Sequence, residues 1–466
     1  MIKHIHRFVW ATLILATGCQ VGPPYEPPLT EVTENWKNEQ ACEAPNPTVC
    51  NWWEIFEDST LDTLEEQALA NNNDLYAALQ RVIQARAMAG VAESALYPQL
   101  TLGPNYSNQD LLTKIFIAKP PIPPVLREHQ ITNLLPLNLS YELDLWGELL
   151  STYQSVSAYA DMQVEALNTL LLLLTSDLAN SYFRLRTFDK EIALFLETIQ
   201  TRKAAVDITK SRYEGKLVNF SDVSRAKLDL SNVEADYYEG MRQREIEVNR
   251  IAVLIGTDPS TFELPSNPLA GIPPAIPAAM PSTVVRQRPD IAEAEREMAS
   301  QHALVRVAYA NYFPTITLTG ALGYSSPDLQ HFLRWESRLW SLGASALQTV
   351  FDGGRTDYNL TAAWAQFNGA DAAYKQQVLI AFQEVEDALS DIAMLAKQSE
   401  KLAESVEDAK TTAKISQDRY FQGVTFYLDV MDSQRDELTS ERNYISLQGR
   451  RYAATIQLVK AIGGSW

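Results

Sequence analysis

In the run PLNLSYELDLWG (136–147), every odd position from Leu137 to Leu145 is apolar and every even position is polar or acidic. A period of two is that of a strand with one apolar and one wet face. The pattern recurs where Ile316, Leu318, Gly320 and Leu322 alternate with Thr315, Thr317 and Thr319, and where Trp340, Leu342 and Ala344 alternate with Ser341, Gly343 and Ser345. Strands are predicted at 99–107, 132–145, 314–324 and 338–350.

The rest of the chain reads as helix. Predicted helices cover 61–96, 148–213, a return from about 220 to 255, then 282–312, 355–421 and 427–462, with turns at 214–219 and 422–426. A helix of about 65 residues spans roughly 100 Å. A rod of that length must bury its apolar side against other rods. On the first return helix Val223, Leu230, Tyr237 and Ile251 recur at multiples of seven, with Ala226, Val233 and Leu254 interleaved. This is a coiled-coil-like seam, interrupted by Arg244 and Glu247.

The two halves repeat one plan. RYEGKLVNFSDV (212–223) lies over RYFQGVTFYLDV (419–430) at an offset of 207, matching Arg212 with Arg419, Tyr213 with Tyr420 and Asp222 with Asp429. The same offset brings LIG (254–256) onto AIG (461–463), and ALYPQLTL (95–102) resembles NYFPTITL (311–318). The expected organisation is an N-terminal segment 19–59, a first repeat 60–256, a Pro-rich linker 257–281 and a second repeat 282–466.

Residues 1–18 read as a targeting signal. Lys3 and Arg7 precede the apolar stretch Phe8–Ala16, and Ala16-Thr17-Gly18-Cys19 supplies small residues ending in cysteine. The segment resembles a bacterial lipoprotein signal in which Cys19 becomes the acylated, palmitate-bearing first residue. It departs from that pattern in having Ala16 where leucine is usual. Gln20, in place of an aspartate, favours the outer over the inner membrane. No other stretch has the apolar length of a membrane-spanning helix.

A net charge of −19 argues against nucleic acid as a partner. Loss of residues 1–18 removes two cations and no acid, which leaves the mature surface more acidic still. Cys42 and Cys50 flank the loop APNPTV. A disulfide there suits an oxidising compartment, and two independent thiols is the alternative. His4 and His6 lie in the signal, while His129, His302 and His331 are scattered. No metal-ligand spacing, phosphate loop or nucleophile elbow is present, so neither catalysis nor a cofactor is expected.

Strands of about ten residues suit a bilayer, where unpaired strand edges are not tolerated. Four strands cannot close, because small barrels need about eight. Chains would then have to associate, with Asn138, Ser140, Glu142 and Asp144 facing the interior. A periplasmic sheet packed on helices also alternates and remains the other reading.

Several stretches together resemble the TolC-like outer membrane efflux proteins (outer membrane factors), in their lipid-anchored branch. These are CQVGPPYEPP (19–28), NWWEIFEDSTLDTLEEQALANNNDL (51–75), LDLWGE (143–148), FDGGRTD (351–357) and the turns RYEG and RYFQG. The resemblance implies a mainly α fold with a transmembrane β-barrel. It implies a homotrimer sharing twelve strands in the outer membrane lipid and a periplasmic tunnel of helices. The implied role is the outer membrane channel of a tripartite efflux system, passing small molecules from an inner-membrane pump and a periplasmic adaptor. The family's constriction pattern of leucine, acid and arginine maps onto Leu428, Asp432 and Arg435. Adaptor docking maps onto the turns, at Gly215 and Leu217 and at Gly423, Val424 and Thr425. The first turn departs by placing its glycine one position early. A structural lipoprotein without a pore, or a channel for protein or polysaccharide secretion, are the alternatives.

Overall fold

The computed structural model describes residues 20–27, 36–37, 51–114, 125–276 and 281–464. The signal segment 1–18, Cys19, Cys42, Cys50 and the loop KPPIPP (119–124) lie outside the described residues. The chain is mainly helical with one antiparallel sheet, and it divides into two compact units. Among the described residues one draws on 20–27, 82–114, 125–162 and 295–373, and the other on 36–37, 51–81, 163–276, 281–294 and 374–464, so each takes segments from both sequence halves. Among the described residues no helix is long and apolar enough to cross a membrane.

The first unit holds the sheet. Its strands are β1 (Gln99–Leu102), β2 (Asn105–Lys114), β3 (Val125–Leu143), β4 (Thr315–Ser326) and β5 (Arg338–Leu347). The order is β1-β3-β4-β5, and β2 pairs with β3 along the edge that β1 occupies further on. The strand expected at 99–107 is therefore broken at Gly103-Pro104 and runs on to Lys114. Pro104 has no N–H for the ladder, and Pro136 stands across the break, its carbonyl accepting from Gly103 N at 3.3 Å. Gly323 faces Pro136, and a Cβ on it would lie 2.0 Å from the Leu135 carbonyl oxygen, so only glycine fits.

The register sets Leu137 opposite Leu322 and Leu322 opposite Trp340, and on the other face Ser140 opposite Thr319 and Glu142 opposite Thr317. The apolar face is open: Trp340 is 71% and Leu342 80% exposed. Asp144, expected on the wet face, instead lies past the end of β3, where its Oδ2 accepts from Leu150 N at 2.8 Å and caps the following helix. Trp146 stacks on Phe313 with ring centroids 4.6 Å apart and donates its indole N–H to the Pro314 carbonyl at 3.0 Å. The residues after Cys19 dock beside it. Val21 N donates to the Trp146 carbonyl at 3.0 Å, and the Gln20 amide reaches Ser151 Oγ and Gln154 Oε1, each at 2.9 Å.

The helices are α1 (Ser59–Asn71), α2 (Asn73–Ser94), α3 (Glu148–Glu214), α4 (Phe220–Leu254), α5 (Pro281–Gln287), α6 (Pro289–Ala310), α7 (Arg355–Phe421) and α8 (Tyr427–Ala461). α3 and α7 have 67 residues each, and α4 and α8 have 35 each. The helix expected at 61–96 breaks at Asn72, whose Oδ1 accepts from Leu75 N at 2.9 Å. The one expected at 282–312 breaks before Pro289, which suits a first helical position.

The second unit packs a core of Trp52, Trp53, Leu61, Leu178, Tyr182 and Ile456, all buried. Arg244 and Glu247, which interrupt the seam of α4, cross-link it to α3: Arg244 lies 2.7 Å from Asp189 and Glu247 3.1 Å from Arg184. Asp189 also accepts from Ser266 Oγ and Asn267 N, tying down the linker. The two helix joints correspond. The Asn72 amide donates to the Leu254 carbonyl at 2.9 Å, and the Arg288 guanidinium to the Ala461 carbonyl at 2.9 Å.

Candidate functional site at the helix turns

Both helix reversals lie in the second unit and use the same bonds. In the first, Gly215 N donates to Ser211 O, Lys216 N to Tyr213 O and Leu217 N to Arg212 O, at 3.0, 2.9 and 2.9 Å. In the second, Gln422 N donates to Asp418 O, Gly423 N to Tyr420 O and Val424 N to Arg419 O, at 3.1, 3.0 and 2.9 Å. Each donor and acceptor is displaced by 207. The left-handed position is Lys216 in one turn (φ 58) and Gly423 in the other (φ 76). Gly215 is thus not the residue that reverses the chain. Leu217 and Val424 occupy equivalent places and are 74% and 62% exposed. Thr425 donates its hydroxyl to Asp429 Oδ2 in a short bond across the start of α8.

The first turns of α8 have two faces. Tyr427, Val430 and Met431 are buried with Ala226 and Tyr420. Leu428, Asp432 and Arg435 follow one another at spacings of four and three, which places them on a single helical stripe. Leu428 is 42% exposed, and Asp432 and Arg435 are exposed with 3.9 Å between their charged groups. A pair this open and this long is weak. Its charges are available to other partners.

Sequence reasoning missed the residues that hold this stripe in place. Buried Arg202 on α3 lies 2.6 Å from buried Asp229 on α4, and its Nη2 donates to the Gln434 carbonyl at 3.2 Å, next to Arg435. Arg212 sits 4.6 Å above the Tyr420 ring, joining α3 to α7. Arg442 on α8 lies 3.3 Å from Asp236 on α4, and Lys410 on α7 lies 2.7 Å from Glu441. Arg202, Lys410, Glu437 and Glu441 line an open groove of about 300 Å³. Burial, with Glu441 beside it, raises the Glu437 carboxyl above its usual range against the pull of Arg202 and Lys410. Burial and the Asp229 charge push the Tyr427 phenol up to about 12. Pairs between different helices leave no periodic trace; the one available signal was a charged residue inside an apolar seam. Among the described residues no cluster of histidine, cysteine, aspartate and glutamate side chains could hold a metal ion.

A two-faced antiparallel sheet with open edges, joined in one chain to paired helical rods with matching reversals, defines an outer membrane channel subunit of the efflux type. The family described as outer membrane efflux protein matches residues 64–257 and 280–464, and the chain belongs to it. It is 27% identical over 467 residues to the outer membrane protein OprJ of Pseudomonas aeruginosa, covering 98% of this chain and 96% of that one. It is 29% identical over 465 residues to the toluene efflux pump outer membrane protein TtgI of Pseudomonas putida, covering 97% of each. Among solved structures, the outer-membrane channel OprN superposes with a TM-score of 0.89 at 28% identity, over 96% of this chain and 100% of that one. The open state of the Neisseria gonorrhoeae MtrE channel superposes with a TM-score of 0.82 at 26% identity, over 96% and 98%.

Proposed function

We propose that this chain is the outer membrane channel of a tripartite efflux system, conducting small molecules passively from an inner-membrane pump and a periplasmic adaptor to the exterior. The observation that carries the reading is the sheet: one face is apolar and open, the other is polar, and β5 and the β1/β2 edge have unpaired outer sides. Hydrocarbon does not accept such edges. Three copies joined edge to edge remove them in one barrel of twelve strands, with Ser140, Glu142 and Thr317 facing the lumen and Trp340 and Leu342 facing lipid. The repeats 60–256 and 282–466 supply equivalent rods to the periplasmic tunnel. Cys19, next to the docked Gln20, carries the acyl anchor.

The entrance lies at the start of α8. Threefold symmetry brings Leu428, Asp432 and Arg435 of each chain toward the axis, where apolar side chains narrow the path and the acids repel unless arginines or cations intervene. The exposed Leu217 and Val424, with their turns, receive the adaptor. An adaptor opens the entrance only by binding the open form more tightly than the closed one. The channel itself needs no cofactor and performs no catalysis.

Single-channel conductance of the mature protein in a planar bilayer tests this, beside the double variant Asp432→Ala, Arg435→Ala. Small steps for the wild type and larger ones for the variant are expected. Equal steps in both would move the gate elsewhere. No steps from either protein, folded and bilayer-associated, would overturn the channel.

A further inference from the structure

The strand ends away from the helices carry a feature that conduction does not use. β4 follows α6 and β5 leads into α7, so Ser326 and Arg338 mark the far end of the β4–β5 pair, joined by residues 327–337, while β2 and β3 run on past it to Lys114 and Val125. In register, Tyr324 faces Arg338, Leu322 faces Trp340 and Gly320 faces Leu342. Arg338 therefore ends a column whose next members, Trp340, Leu342, Ala344 and Ala346, are all apolar. Its guanidinium lies 3.5 Å over the centroid of Trp335. Among the described residues no carboxylate lies within ion-pair distance of Arg338, and Asp328 at the start of the same connection is 3.7 Å from His331. Trp335, Leu333 and Leu329 on the same connection are 72%, 72% and 76% exposed.

A cation stacked on an indole at the end of an apolar column matches the boundary between acyl chains and headgroups, where Trp and Arg find both solvents they need. Stacking fixes the guanidinium plane and leaves its N–H edge for an acceptor that offers two oxygens. A phosphate is such an acceptor. With the helices in the periplasm, this end of the β4–β5 pair lies at the outer leaflet, whose lipid is a phosphorylated glycolipid. We infer that Arg338, held over Trp335, binds a phosphate of the outer-leaflet glycolipid and fixes the depth of the barrel rim. The inference rests on the barrel proposed above.

The test uses the full trimer in nanodiscs with added diphosphoryl lipid A, its dephosphorylated form, or phosphatidylglycerol. Retained lipid is counted by native mass spectrometry, and the conductance of the same preparations is recorded. Retention of diphosphoryl lipid A by the wild type is expected, falling roughly tenfold in Arg338→Gln and in Trp335→Ala, with conductance unchanged. Equal retention by wild type and Arg338→Gln would overturn the site while intact conductance left the channel standing. Equal retention of phosphatidylglycerol would overturn the glycolipid assignment. A wild type that does not conduct would remove the barrel, and the site with it.

Discussion

The guanidinium of Arg202 lies 2.6 Å from the carboxylate of Asp229, with both side chains buried between α3 and α4. The same arginine holds the Gln434 carbonyl on α8. One cation thus joins the first helical hairpin to the segment that carries Asp432 and Arg435. Arg202→Met would strand a buried carboxylate, a change that costs about 3–5 kcal/mol. A clear fall in the thermal midpoint of the trimer is expected, together with more frequent channel opening. The double variant Arg202→Met, Asp229→Leu should recover most of the stability but not the closed state. Full recovery of both would reduce the pair to packing.

The two turns differ in what their left-handed residue costs. Lys216 holds φ 58 with a side chain, and Gly423 holds φ 76 without one. Lys216→Gly is expected to raise stability by up to about 1 kcal/mol, and Gly423→Ala to lower it by about 1 kcal/mol. Nothing lies within 4 Å of a Cβ placed at Gly423, so its loss would be one of backbone alone. Denaturant midpoints measure both changes. If the turns dock an adaptor through Leu217 and Val424, Leu217→Asp and Val424→Asp should each weaken adaptor binding while Lys216→Gly does not.

Glu65 is fully buried on α1, and neither of its carboxylate oxygens has a hydrogen-bond partner. Burial, with the Asp62 charge behind it, pushes its carboxyl up to about 9 from an ordinary 4.5. Between those two values the folded chain keeps a proton that the unfolded chain has released. Stability therefore falls as pH rises through that window, and the full penalty stands above it. Glu65→Met is expected to be the more stable protein at pH 8 and to lose part of the slope. Thermal midpoints from pH 5 to pH 9 would decide it, and identical slopes would dismiss the residue as the cause.

With 58 acidic against 39 basic residues, a lumen built from this chain should select cations. Reversal potentials under a salt gradient at neutral pH are expected to show this, and Asp432→Asn should weaken it. Anion preference in the wild type would count against an acidic path.

Much of the architecture was legible because each part answers to a repeating environment. Ser140 and Leu139 lie on opposite faces of the sheet, so they alternate; Val223 and Ile251 sit in one seam, so they recur. The break at Gly103-Pro104 was hidden because it depends on Pro136 across the ladder. Asp144 read as a lumen residue because its alternation runs on past the strand, and only the start of α3 shows that it caps a helix. At the turns the repeat placed Leu217 over Val424, yet the identity of Gly215 drew attention away from Lys216, which has the unusual backbone. Arg202 and Asp229 meet through two helices and follow no period. Glu65 is the opposite case, a carboxylic acid inside the apolar spacing of α1.

The two joints described earlier are unequal in strength. At the first, one neutral amide, Asn72, secures the end of α4. At the second, Arg288 secures the end of α8 while also lying 2.6 Å from Asp290 and 2.7 Å from Glu384. Duplication gave the molecule two copies of one joint, and divergence made one a pin and the other a clamp.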